Sequence, residues 1–224
     1  MPTQTIELPL SDATAHAYLS TANDNAPGVL VLHAWWGLIP VFKRLCDRLA
    51  ETGFTALAPD LYFGKTANTI DEAQAIRALV EQPDSTSQMQ ATVIAAAKAL
   101  RERTGKPIGV IGFSMGAAWT ISLASELAPD DVKACVLFYG VGEGDFSRSR
   151  ASFIGHFAAN DEWEPEKWVN LTEDNLRKAG RPVTFYRYDG VGHWFFEDDK
   201  PYYNAEAAQL AWDRTLTFLK SELK

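Results

Sequence analysis

Ile111–Trp119, IGFSMGAAW, sets one serine between two glycines, directly after the apolar run Pro107 to Ile111 and directly before an Ala-rich segment. Gly112-Phe113-Ser114-Met115-Gly116 fits G-x-S-x-G at the end of a strand and the start of a helix, the context that pattern requires. The turn there is sharp, and side chains at the two glycine positions would collide with the neighbouring strand or helix. The serine is pushed into an uncommon backbone conformation that exposes its hydroxyl. The bland alternative is a Gly-Ser turn capping a helix over 115–127. The strand before and the helix after favour a nucleophile.

Outward from this turn the chain alternates short β-rich runs with helical patterns. Extended segments are expected at Thr5–Leu8, His16–Ser20, Gly28–His33, Thr55–Ala58, Pro107–Ile111, Val132–Tyr139, Ala151–Phe157 and Val183–Tyr188. Helices are expected over 40–52, with Val41, Leu45 and Leu49 on one face and Gly53 as the stop, over 86–103 and over 203–222. Uninterrupted apolar strands alternating with helices predict an α/β fold with a mostly parallel central sheet covered by helices on both faces. The first two strands, with no helix between them, predict an antiparallel N-terminal edge. Residues 62–70 and 140–150 read as polar, Gly-containing loops. No repeat or linker divides the chain, so one domain over 1–224 is expected.

Composition narrows the function classes. An apolar share of 46% over 224 residues supports a substantial core, and 21 basic against 29 acidic side chains give a net charge of −8. With no Lys/Arg-rich run, nucleic acid is not an expected partner. The N-terminal MPTQTIELPL has neither a basic region nor an apolar core, and the most apolar stretch, Gly28–Phe42, is interrupted by His33 and two glycines. A cytoplasmic protein that does not engage the membrane is expected. Cys46 and Cys135 lack C-x-x-C spacing and read as small buried hydrophobes.

A serine hydroxyl needs a base within hydrogen-bond reach, and the base needs an orienting carboxylate. In folds of this kind the chain order is serine, acid, histidine. His193, in GVGHWFF, is the loop histidine after Ser114, whereas His156 lies within a strand, His16 in an N-terminal strand, and His33 precedes the serine. Asp161, in FAANDEW, follows a strand at the carboxyl edge of the sheet, where sites form. Asp189 competes for that role, with Asp60 and Asp145 behind it. The backbone N–H groups of Met115 and Trp35 are the expected donors to a tetrahedral oxyanion.

With these residues in view, the chain resembles the dienelactone hydrolase family of α/β-hydrolases. The resemblance rests on VLVLHAWWGL, GFTALAPDLYFG, IGFSMGAA, HFAANDEW and YDGVGHWFF, which follow the family's order along the chain. It implies a carboxylic ester or lactone hydrolase with an α/β-hydrolase fold. The family's nucleophile is most often cysteine, with a glutamate in the loop after the second strand that helps govern the thiol's ionisation. Here Ser114 and Ala34 occupy those positions, and a serine activated by its histidine would not need that glutamate. Where the family can hold a substrate carboxylate with an arginine, this chain has Glu197, Asp198 and Asp199.

Trp35, Trp36, Tyr62, Phe113, Trp163 and Trp194 lie in or beside the site loops. Each alone is more often core, but together they suggest an apolar acyl or alcohol pocket. The expectation is a serine hydrolase acting on a neutral, short or moderately bulky ester or lactone, with no metal or organic cofactor required. Acyl transfer or perhydrolysis on the same triad, and a ligand-binding protein that keeps the fold without turnover, are the alternatives. The natural substrate, the pathway and the oligomeric state are not legible from the residues.

Overall fold

Runs of apolar residues without a polar break become strands buried on both faces, and the rest of the fold is built against them. The computed structural model describes residues 2–224. By internal contacts the chain divides into two compact units, one ending at Ile108 and the other beginning at Gly109.

In the first unit, β1 (Thr3–Pro9) and β2 (Thr14–Ser20) pair antiparallel, with Ile6 opposite Ala17. β3 (Gly28–Leu32) and β4 (Thr55–Pro59) are buried at every position and pair in parallel. β2 joins them through an antiparallel pairing with β4. The mostly parallel sheet therefore carries the antiparallel N-terminal edge that the first two strands imply.

Between β3 and β4 runs α1 (Pro40–Glu51), which starts on a proline whose missing N–H costs nothing there and buries Val41, Phe42, Leu45 and Leu49. α2 (Ile70–Val80) and α3 (Pro83–Thr104) follow β4. α2 was not expected from periodicity. Its first turn is fixed by a reciprocal cap, in which Glu72 N–H donates to Thr69 Oγ1 at 3.2 Å and the Glu72 carboxylate accepts from Thr69 N–H at 3.3 Å. α3 closes at Gly105, whose φ of 69° suits a residue without Cβ.

Strand β5 (Ile108–Phe113) carries the chain into the second unit, where α4 (Met115–Ser122) begins at once after Ser114. The helix ends in a wider turn closed by the i to i+5 bond from Ala128 N–H to Leu123 C=O at 2.9 Å. β6 (Val132–Phe138), β7 (Ser152–Ala158) and β8 (Val183–Tyr188) pair in parallel, with Phe138 opposite His156 and Ala158 opposite Tyr188. α5 (Glu166–Lys178), the second helix not expected from periodicity, packs on β8, while α6 (Ala205–Glu222) packs on β6 and β7. Because these strands run in parallel, the loops after β6, β7 and β8 all leave from the same carboxyl edge.

The second unit's core absorbs His156. Its Nδ1 lies 2.8 Å from Tyr188 Oη and its Nε2 lies 3.1 Å from Thr215 Oγ1 on α6, with no exposed surface. Burial, aided by the Arg214 guanidinium, pushes this imidazole down to about 3, so it stays neutral and serves packing. Cys46 and Cys135 are buried free thiols, and burial pushes both well above the ordinary thiol range. No helix among the described residues is long and apolar enough to cross a membrane.

Candidate active site

Three forces fix Ser114. Its N–H donates to Phe138 C=O at 2.9 Å, tying the end of β5 to the end of β6. Its own carbonyl accepts from Ala117 N–H at 2.9 Å, the first turn of α4. Between these bonds its backbone takes φ 50° and ψ −113°, a region that side-chain-bearing residues rarely occupy. The surroundings hold it there because they are glycine. A β-carbon on Gly112 would fall on the Gly116 carbonyl and the Thr120 hydroxyl, and one on Gly140 would fall on the backbone of Ser114 itself.

His193 stands on the loop after β8, and its ring reaches both of the other functional groups. Nε2 lies 3.1 Å from Ser114 Oγ, and Nδ1 lies 2.8 Å and 3.0 Å from the two Asp161 oxygens. An ionised carboxylate only accepts, so the ring proton belongs on Nδ1 and the Nε2 lone pair faces the serine hydroxyl. Asp161 is pinned in turn: its Oδ1 accepts from Trp163 N–H at 2.8 Å and from Glu164 N–H at 3.0 Å. The His193 and Asp161 side chains are 4% and 2% exposed, so the pair works largely out of water. The imidazole packs against two rings, Trp194 edge-on at 4.8 Å and Tyr139 tilted at 5.0 Å.

The other sequence candidates fall into place around this relay. Met115 opens α4, so its N–H lies in the helix's first turn, at the positive end of the helix dipole. Asp189, the competing acid, is not the imidazole's partner; Asp161 is. Asp145 and Asp60 cap turns instead, Asp145 accepting from Ser147 N–H at 3.1 Å and Asp60 from Tyr62 N–H at 3.0 Å.

The aromatic residues divide. Trp35, Trp36 and Tyr62 belong to the first unit and are buried, with the Trp35 and Trp36 rings 5.4 Å apart and Tyr62 edge-on to His33 at 5.3 Å. Phe113 has no exposed surface and stacks on Phe138 at 4.7 Å, so its ring is core beside Ser114 rather than accessible wall. Trp163 is 39% exposed and packs on Trp194, which also meets Tyr202, leaving an aromatic row beside His193. Gly140, Tyr139 and Tyr202 were not anticipated, since their roles depend on contacts between distant segments.

One acidic neighbour is perturbed. Glu164 accepts from Val141 N–H at 3.1 Å, and burial, reinforced by the nearby Asp161 charge, pushes its carboxyl up to about 7.

With this geometry in hand, the comparisons with known proteins are decisive about kinship. The sequence model of the dienelactone hydrolase family matches residues 15–223. The chain belongs to that family. Within curated members, it is 30% identical to the protein usf of Aquifex pyrophilus, over 98% of this chain and 99% of that one. It is 31% identical to a carboxymethylenebutenolidase of Pseudomonas sp. strain P51, over 92% of this chain and 89% of that protein. A solved dienelactone hydrolase-like promiscuous phosphotriesterase from metagenomic libraries superposes with a TM-score of 0.83 at 20% identity, covering 99% of both chains. That likeness shows that this dienelactone hydrolase family member has the α/β-hydrolase fold.

Proposed function

We propose that this hydrolase cleaves carboxylic esters or lactones through an acyl-enzyme on Ser114. The observation that carries the reading is the Nε2 of His193 at 3.1 Å from Ser114 Oγ, with Nδ1 held by Asp161. Membership of a family whose curated relatives include carboxymethylenebutenolidases supports the substrate class.

In this reading His193 takes the hydroxyl proton as Ser114 attacks the carbonyl carbon, and Asp161 stabilises the imidazolium without taking a proton. The new oxyanion is met by the Met115 N–H, which faces the developing charge from a helix N-terminus. The imidazolium then returns its proton to the leaving alkoxide, and the acyl group remains on Ser114. Water enters and gives one proton to Nε2 as its oxygen attacks the acyl carbon; the bond to Ser114 Oγ then breaks, the imidazolium returns that proton to Oγ, and the acid is released. Every proton is accounted for by one imidazole.

A fluorophosphonate probe tests this directly. Labelling at Ser114 and turnover of p-nitrophenyl acetate, both absent in Ser114→Ala, are expected. Undiminished turnover in that variant would show that the hydrolysis proceeds elsewhere.

A further inference from the structure

The relay's two hydrogen bonds run along the axis through Nδ1 and Nε2, so they fix the ends of the His193 ring but leave it free to rock about that axis. Something must hold the faces. Two rings pack against the imidazole: Trp194, its own neighbour in the chain, with centroids 4.8 Å apart, and Tyr139, directly after β6 and 54 positions earlier in the sequence, with centroids 5.0 Å apart.

Tyr139 is itself unusually constrained. Its backbone has a φ of 37°, its N–H donates to His156 C=O at 2.8 Å, and its phenol donates to Glu197 Oε1 at 2.7 Å. Neither Tyr139 nor Glu197 has exposed surface. Glu197 stands four positions after His193, and its N–H donates to Trp194 C=O at 3.0 Å, closing the turn that carries the imidazole. The Tyr139–Glu197 bond therefore ties the histidine's loop to the strand whose end also anchors Ser114.

A full-length carboxyl inside an apolar cluster is costly unless it is neutral or paired. Its second oxygen, Oε2, has no hydrogen-bond partner among the described residues. Burial pushes the group up to about 8, with the Tyr139 phenol and Lys200 opposing the rise and Asp199 and Asp198 adding to it, so near neutrality it is mainly the uncharged acid. In that state it offers Tyr139 an acceptor and puts no competing charge beside the imidazole.

We propose that Tyr139 and Glu197 form a positioning pair, in which the buried carboxyl fixes the phenol ring as the wall that keeps His193 aligned between Ser114 and Asp161. The proposal rests on the reading of Ser114 and His193 as the reacting pair. Neither member touches the reacting atoms; Glu197 acts through Tyr139, and Tyr139 through His193.

The test compares Tyr139→Phe, Glu197→Leu, Glu197→Gln and the Tyr139→Phe/Glu197→Leu double variant, using p-nitrophenyl acetate turnover and the rate of fluorophosphonate labelling. Tyr139→Phe and Glu197→Leu should each lower kcat and the labelling rate by about 10-fold or more, with KM moving by no more than about two-fold. The double variant should fall no further than the worse single one, since both remove the same bond. Glu197→Gln, whose amide oxygen can still accept from the phenol, should restore kcat to within about three-fold of the parent. Parent-like kcat in Tyr139→Phe or Glu197→Leu, or a loss in Glu197→Gln as large as in Glu197→Leu, overturns the pair. Should the first two variants fail to fold, Glu197→Asp, one methylene too short to reach the phenol, carries the same expectation and the same power to overturn it. Ser114→Ala is run alongside: if it retains turnover, the reading of the reacting pair fails, whereas an inactive Ser114→Ala beside a fully active Tyr139→Phe condemns only the positioning pair.

Discussion

Gly140 and Ser114 meet backbone to backbone: a β-carbon on Gly140 would lie 2.8 Å from the Cα of Ser114. No side-chain rotation relieves such a contact, since both parties are main chain. Gly140→Ala should therefore push the nucleophile off its line to His193, and a misplacement of about 1 Å costs on the order of 100-fold in rate. The measurement is kcat on p-nitrophenyl acetate beside a melting curve. A fully active Gly140→Ala would show that the end of β6 yields and does not hold the serine.

Asp161 is the acceptor drawn close to His193 Nδ1, and the same carboxylate is held by two backbone N–H groups. Asp161→Asn keeps the shape but can present an N–H toward the ring, favouring the wrong tautomer. A loss in kcat of roughly 10³ to 10⁴ is expected from the behaviour of such relays. Asp189→Asn, at the position that competes in the sequence, should leave kcat within about two-fold. Reversal of that order in steady-state assays would reassign the acid.

What could be read from the residues and what could not follows from the range of the interactions. The nucleophile turn is legible because strand, glycines, serine and helix are contiguous over Ile108–Ser122, and the order serine, acid, histidine survives any packing detail. Gly140 and the Tyr139–Glu197 bond are not, because each acquires meaning from a partner across a sheet edge or 58 positions away. α2 escapes periodicity because it buries only Ala73 and Val80, and its signal is the Thr69 and Glu72 cap instead. α5 escapes it because Trp168 and Leu171 face outward while Thr172 and Glu173 join Val169 and Leu176 on the buried face, blurring the usual apolar stripe. Phe113, next to the serine in sequence, is core because β5 is buried at every position and its ring stacks on Phe138.

Glu197 makes stability depend on pH in a stated direction. Its carboxyl titrates near 4.5 when unfolded and at about 8 when folded, so the folded state holds the proton more tightly. That contribution is fully present below about pH 4.5, shrinks as the unfolded chain ionises, and is lost as pH rises through about 8. Glu197→Gln, which cannot ionise, should thus gain melting temperature relative to the parent as pH increases, with a difference of several degrees at pH 8.5 that largely vanishes at pH 5. Parallel melting curves for the two proteins across that interval would mean that the carboxyl is already ionised in the folded chain.

Charge around the relay argues for neutral substrates. The loop from Ala159 to Pro165 carries Asp161 and Glu162 with no basic residue, its Glu164 being pushed up to about 7 by burial, and that from Asp189 to Asn204 sets Asp189, Asp198 and Asp199 against Lys200, its Glu197 being buried and mainly uncharged. Lys200 is itself engaged, its Nζ 3.0 Å from Asp199 Oδ2. A carboxylate-bearing ester approaching this edge meets a negative field on a chain of net charge −8, with no guanidinium in either loop to receive it. At low ionic strength, kcat/KM for p-nitrophenyl butyrate should exceed that for the similarly sized p-nitrophenyl hemisuccinate by about 10-fold or more. Because Glu162, Asp189, Asp198 and Asp199 are exposed, the gap should narrow in about 0.5 M salt, where the screening length falls to a few ångströms. A preference for the hemisuccinate at both salt concentrations would require a cationic subsite and would remove the electrostatic argument for neutral esters.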